Sequence, residues 1–120
     1  MRIKYLGTGA SEGWPAVFCH CEPCKAARRL GGKNLRRRSS ALLDGSLLFD
    51  LPPDVFGQSL ALGVDLSSIR DFVITHAHKD HFYAHELTNM AEPFAHIPDD
   101  RTNRLYGSCT VLDRARKALT

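Results

Sequence analysis

Short apolar stretches alternate with glycine- and proline-bearing breaks along this chain, and their spacing predicts an α/β fold. Residues 2–6 read as a short alternating strand, ended by Gly7, Thr8 and Gly9. Those glycines permit a tight turn and a close approach of backbone to a ligand. Residues 11–18, punctuated by Gly13, Trp14 and Pro15, predict a loop. Residues 23–30 have helical composition and stop at Gly31 and Gly32. Residues 40–43 and 46–50 predict a hairpin through Asp44 and Gly45, a favoured two-residue turn. Pro52, Pro53 and Asp54 then open a helix running to about Leu62, with Gly63 closing it. Phe72, Val73, Ile74 and Thr75 predict a central buried strand, and residues 80–90 a helix. Residues 104–106 read as another short strand, and Ser108 suits the N-cap of a helix reaching about Leu119. No repeat, low-complexity segment or internal boundary interrupts this pattern, so residues 1–120 are expected to form one domain.

The chemistry concentrates just after the central strand, where His76, His78, Asp80 and His81 fall within six positions. In extended backbone, residues two apart point to the same side, so His76 and His78 can converge on one ion. The chain then turns, which lets Asp80 and His81 face a second ion. Imidazole and carboxylate together suit zinc, manganese or iron. Two adjacent divalent ions can generate hydroxide near neutral pH and clamp a phosphoryl or acyl centre during displacement.

These four residues match the H-x-H-x-D-H signature, and the chain here resembles the metallo-β-lactamase superfamily. The resemblance implies an αββα sandwich and a hydrolase with one or two metals. It implies further that His76 and His78 bind the first metal and Asp80 and His81 the second. Asp80 would also orient or deprotonate the attacking water. Asp50, at the end of the second hairpin strand, corresponds to an Asp that commonly braces the metal loop in that superfamily; as a residue it reads equally as a strand-terminal turn.

A second cluster narrows the resemblance. Cys19, Cys21 and Cys24 can wrap one zinc at Zn–S distances of about 2.3 Å, although tetrahedral closure needs a fourth ligand. A disulfide would need an oxidising compartment and easier spacing, while a redox pair at Cys21 and Cys24 is the remaining alternative. The spacing resembles the phosphoribosyl cyclic phosphate phosphodiesterase family of the phosphonate pathway, as do the opening residues 1–10 and the Arg36, Arg37, Arg38, Ser39, Ser40 stretch. In that family the cysteines hold a structural zinc, completed by a histidine late in the chain. A pyrroloquinoline-quinone biosynthesis protein of the same superfamily carries a similar cluster. Cys109 reads as a small apolar residue and not as the missing ligand.

Charge and length complete the picture. The net charge of +3 is mild, but residues 25–38 hold seven basic side chains and no acidic one. Most of that stripe reads as a solvated helix and loop; Arg37 and Arg38 are the candidates for steering a phosphate-bearing substrate. No run approaches the roughly 18 apolar residues that span a membrane, and no secretory signal is evident, so a cytoplasmic protein is expected. Superfamily members usually need about twice 120 residues, and a third histidine for the first metal, a bridging Asp and a further histidine are not identifiable here. His85 and His96 read as surface or loop histidines. The expectation is therefore an N-terminal half, inactive in isolation, of a phosphodiesterase for a small or cyclic phosphate ester. It would use metal-activated hydroxide, with two divalent ions (Zn, Mn or Fe) at the active site and one structural zinc. Rival readings are a superfamily hydrolase of RNA or thioesters, and a zinc-stapled nucleic-acid-binding module using the basic stripe.

Overall fold

Asp44 and Gly45 take φ of 50° and 68°, and Ser46 N–H donates to the Leu43 carbonyl at 3.0 Å, which closes a turn with the twist a hairpin requires. That turn joins β2 (Ser40–Leu43) to β3 (Leu47–Phe49) and nucleates one mixed sheet. In this computed structural model, which describes residues 1–120, β1 (Ile3–Gly7) pairs antiparallel with β2, and β2 antiparallel with β3. β4 (Asp71–Val73) and β5 (Arg104–Tyr106) then add in parallel, so the five strands lie in sequence order. Parallel neighbours need crossovers. The helix α2 (Val55–Leu62) supplies the first, and the stretch between β4 and β5 supplies the second. The helix α1 (Glu22–Leu30) follows the first loop, and α3 (Cys109–Leu119) ends the chain, capped by Ser108. No helix is long and apolar enough to cross a membrane.

The two faces of the sheet differ. Register sets Lys4, Leu42, Leu48, Phe72 and Leu105 in one row. Leu42, Leu48 and Phe72 from that row share the core with Leu6, with Val55 of α2 and with Val111 and Ala115 of α3. The opposite face carries Tyr5, Ala41, Phe49, Val73 and Tyr106 in one row and Ile3, Leu43 and Leu47 in the next. None of these is buried; Tyr5 is 68% exposed and Tyr106 48%. One apolar face is therefore covered by helices and the other is open, which is half of a layered sandwich.

Where expectation and structure differ, tertiary hydrogen bonds explain it. Residues 80–90 do not form an α-helix. His81 N–H and Phe82 N–H turn back to the His78 carbonyl, Leu51 N–H takes the His81 carbonyl at 2.8 Å, and Tyr83 N–H takes that of Leu51 at 2.7 Å. With these groups committed to a bridge onto Leu51, only a 3-10 helix at Ala84–Met90 remains. The glycines after β1 approach the chain itself: a Cβ on Gly7 would sit 1.9 Å from the Arg38 carbonyl oxygen, and one on Gly9 2.8 Å from that of Arg36. They admit the backbone of residues 36–38, which bridges Gly9 through Arg38.

The contrast between faces is measurable. Leu48→Ala, at a fully buried position, should lower unfolding free energy by ~2–5 kcal/mol in urea titration. Tyr5→Ser on the open face should change it by less than ~1 kcal/mol.

Candidate metal centre

β3 ends in a residue whose backbone points its side chain across the sheet end. Asp50 has φ of 63°, a left-handed conformation that Asp tolerates better than most residues, and it is 4% exposed. Its N–H stays in the parallel ladder, donating to the Val73 carbonyl at 2.8 Å. Its carboxylate receives the Thr75 N–H at 2.7 Å, the Thr75 hydroxyl at 2.9 and 3.0 Å, and Nδ1 of His81 at 2.6 Å.

These contacts decide two tautomers. A carboxylate only accepts, so Nδ1 of His81 donates and Nε2 keeps its lone pair. The Thr75 hydroxyl has one proton, which goes to Asp50; its contact with Nδ1 of His76, at 3.0 Å, is therefore one in which the imidazole donates. Nε2 of His76 is left free in the same way. One buried carboxylate thus orients two imidazoles, directly for His81 and through Thr75 for His76. Thr75 carries no motif of its own in the sequence, beyond its place before His76.

The structure brings the rings of His76, His78 and His81 close, although the only three ligand atoms it gathers within reach of one ion are the sulfurs of the cysteine cluster. The His76 ring lies 4.8 Å from that of His78 and 4.0 Å from that of His81, centroid to centroid. Nε2 of His81 and Oδ2 of Asp80 are 3.4 Å apart. A cation between these two atoms would be within reach of both. His78 is exposed and His76, Asp80 and His81 half-buried, so the cluster opens to solvent. Arg114 of α3 holds the loop from behind through the Ala77 carbonyl. His85 stands beside Tyr83, and His96 beside Glu92, both outside the cluster.

Next to Asp80 is a cleft of about 600 Å³ whose walls include Val17, Phe18, Arg38, Lys79 and Tyr83. A slightly larger hollow, about 690 Å³, lies at the other end of the strands by Met1, Arg2 and Asp44 and holds no ligand-type cluster. Arg38 lines the cleft, but its guanidinium is bound to Asp54 at 2.7 Å and to the Ser11 carbonyl at 2.8 Å. Arg37 donates to the Leu6 carbonyl at 3.1 Å. Both therefore tie the loop of residues 36–38 to its neighbours. Lys79, which the sequence did not single out, lines the cleft with no anionic partner. Three more of the basic stripe are also engaged, Lys25 with Glu22, Arg28 with the carbonyls of Cys19 and Ala16, and Arg36 with Thr8, while Arg29 and Lys33 make no such contact.

The sulfurs of Cys19, Cys21 and Cys24 all lie within 4.8 Å of one another. Tetrahedral Zn–S bonds of about 2.3 Å would set them about 3.8 Å apart, so only a slight contraction is needed. The thiols already share protons unevenly. The Cys21 N–H, the Cys21 and Cys24 thiols and the Arg28 charge pull the Cys19 thiol below its ordinary range. An N–H of Ala16 favours the Cys24 thiolate, yet burial and the two neighbouring sulfurs outweigh it and push that thiol up. Cys109 is not packed as a small apolar residue; it is exposed at the start of α3, away from this group.

No family model matches the sequence. An octanoyltransferase of Porphyromonas gingivalis is 38% identical over 85 residues, which is 68% of this chain and 16% of that protein. Coenzyme PQQ synthesis protein B of Bradyrhizobium diazoefficiens is 36% identical over 59 residues, 46% of this chain and 19% of that one. Among solved structures, a diphosphatase from the PhnP family superposes with a TM-score of 0.74 at 28% identity, covering 96% of this chain and 44% of its own. Zinc-bound PqqB from Methylobacterium extorquens gives 0.73 at 23% identity, over 98% and 40%. The short form of human tRNase Z gives 0.64 at 20%, over 99% and 39%. The chain thus spans under half the length of each of these five proteins.

Two outcomes follow from the geometry. Asp50→Asn keeps the shape but loses the obligate acceptor, so affinity for zinc or manganese at the histidine cluster should fall roughly 10- to 100-fold in chelator competition, with the circular dichroism spectrum retained. Cys21→Ser should remove one equivalent of tightly held zinc and lower the melting temperature, and zinc affinity at the thiols should weaken as pH falls, because protons compete for the same sulfurs.

Proposed function

We propose that this chain is one αβ half of a metal-dependent hydrolase of the metallo-β-lactamase superfamily, whose substrate is a small or cyclic phosphate ester. The observation that carries this reading is the Asp50 carboxylate, which prepares His81 and His76 with free Nε2 lone pairs beside Asp80. A fold alone would not require that arrangement. The phosphate ester is supported by the diphosphatase among the structural neighbours and by the cleft of about 600 Å³ beside Asp80, a size that suits a small molecule.

In this proposal His76 and His78 hold one divalent ion and Asp80 and His81 a second, with zinc, manganese or iron all compatible with the donor set. Such ions acidify water and offset charge developing at phosphorus. Asp80, half-buried at the cleft floor, orients the attacking water and accepts its proton. Thr75 and Asp50 keep the histidines in the ligating tautomer, and Arg114 holds the loop backbone. The cysteine cluster keeps one structural zinc outside the reaction. The remaining ligands come from a second αβ half that covers the open face of Tyr5, Phe49 and Tyr106, completing the sandwich. That half makes the activity a property of the complete protein.

The test is hydrolysis of bis(p-nitrophenyl) phosphate by the complete metal-loaded protein. His78→Ala and Asp80→Ala should each cut kcat by at least a hundredfold while the far-ultraviolet circular dichroism spectrum is unchanged. Full activity in either variant overturns the assignment.

A further inference from the structure

The loop before the cysteine cluster ends in a tight turn braced from α1. Cys19 N–H donates to the Ala16 carbonyl at 3.0 Å, closing a turn over residues 16–19 with Val17 and Phe18 at its tip. The Arg28 guanidinium, from α1, reaches back to both ends of that turn. It donates to the Ala16 carbonyl at 2.8 Å and to the Cys19 carbonyl at 2.7 Å. A planar fork that bridges two carbonyls three residues apart fixes the turn as a unit. The first cysteine of the thiol cluster is itself the last residue of the turn.

The tip presents an aromatic ring to solvent. Phe18 is 96% exposed and Val17 53%, an apolar pair with nothing packed on it. Both line the cleft that Lys79 and Asp80 also line, with Tyr83 on a further wall. Lys79 makes no ion pair there, whereas Arg38, the other cation in the cleft, is neutralised by Asp54. The cleft therefore combines an ammonium free of ion pairs, the carboxylates of Asp80 on the metal loop and of Glu12, and an uncovered phenyl ring on a braced turn. An anion with a flat apolar body is complementary to that set: the charge meets Lys79 and the metal loop, and the flat body meets Phe18.

We propose that Phe18 selects the leaving group of the substrate, that the group it takes is planar and apolar, and that Arg28 is the positioning residue that presents it. This rests on the phosphate-ester reading above and deepens it. Lys79 contributes to binding of the charged end and is indifferent to the nature of the leaving group. The role of Arg28 also explains why its charge is spent on two carbonyls and not on solvent or substrate.

The experiment compares phenyl phosphate with methyl phosphate, two esters of equal charge, by calorimetric titration of the complete manganese- or zinc-loaded protein. Phenyl phosphate should bind about tenfold tighter, the size expected of one aromatic contact. Phe18→Ala should erase that ratio and leave methyl phosphate affinity unchanged. Arg28→Gln should reduce the ratio, while Lys79→Met should weaken both esters alike and preserve it. A ratio near one in the unmodified protein, or one that survives Phe18→Ala, overturns the assignment of Phe18. Failure of methyl phosphate to bind in a metal-dependent way overturns instead the metal-centre reading on which it stands. Phe18 is exposed, so its replacement leaves the core intact; Phe18→Tyr, which keeps the ring, should restore the ratio.

Discussion

The carboxylate of Asp50 is the constraint on which the rest of the site depends. It is buried, it sits in a left-handed backbone conformation at the end of β3, and its contacts reach both β4's extension at Thr75 and the far end of the metal loop at His81. Burying a carboxylate is costly unless donors surround it. Here the donors are the backbone and hydroxyl of Thr75 and the ring of His81. The same hydrogen bonds that offset desolvation also hold two imidazoles with their Nε2 atoms free. Stability of this corner and readiness of the site are therefore one requirement, met by one residue.

A second network fixes the opposite wall of the cleft. Asp54 precedes α2 but does not cap it with its side chain; its carboxylate is taken by the Arg38 backbone N–H at 2.8 Å and by the Arg38 guanidinium. Gln58 of α2 donates to the Arg38 carbonyl at 2.7 Å. The chain at residues 36–38 is thereby pressed against Gly7 and Gly9, where no Cβ could fit. The basic stripe is in large part a set of struts, since most of its guanidinium groups end on backbone carbonyls or on Asp54. The loop carrying the thiols is strutted likewise, by Arg28, whose two hydrogen bonds join the thiol cluster to the turn that lines the cleft.

The open face of the sheet gives the remaining architecture its meaning. Rows such as Tyr5, Ala41, Phe49, Val73 and Tyr106 have the composition of an interior without its burial. The structural neighbours agree with this: each superposes on nearly the whole chain while the chain covers 39–44% of each. A helix-covered sheet with one bare face is what one layer pair of a four-layer sandwich looks like.

Much of this was legible from residue order. The hairpin at Asp44 and Gly45, the stop at Gly63, the Ser108 cap and the strand before His76 all depend on local backbone preferences, which neighbouring residues specify. The closeness of His76, His78 and His81, and of the three cysteines, was readable because residues at such short spacing have little room to separate in space. What the sequence could not show depends on partners distant along the chain. The 3-10 geometry after His81 follows from hydrogen bonds to Leu51, thirty residues earlier. The commitment of Arg37 and Arg38 to the fold follows from carbonyls and a carboxylate brought near by strand pairing. The orientation of His81 was set by Asp50 directly and that of His76 through Thr75, and the Val17 and Phe18 tip by Arg28. Composition and spacing determined which groups were present; only the packed chain decided which hydrogen bonds each could satisfy, and so which remained free to act.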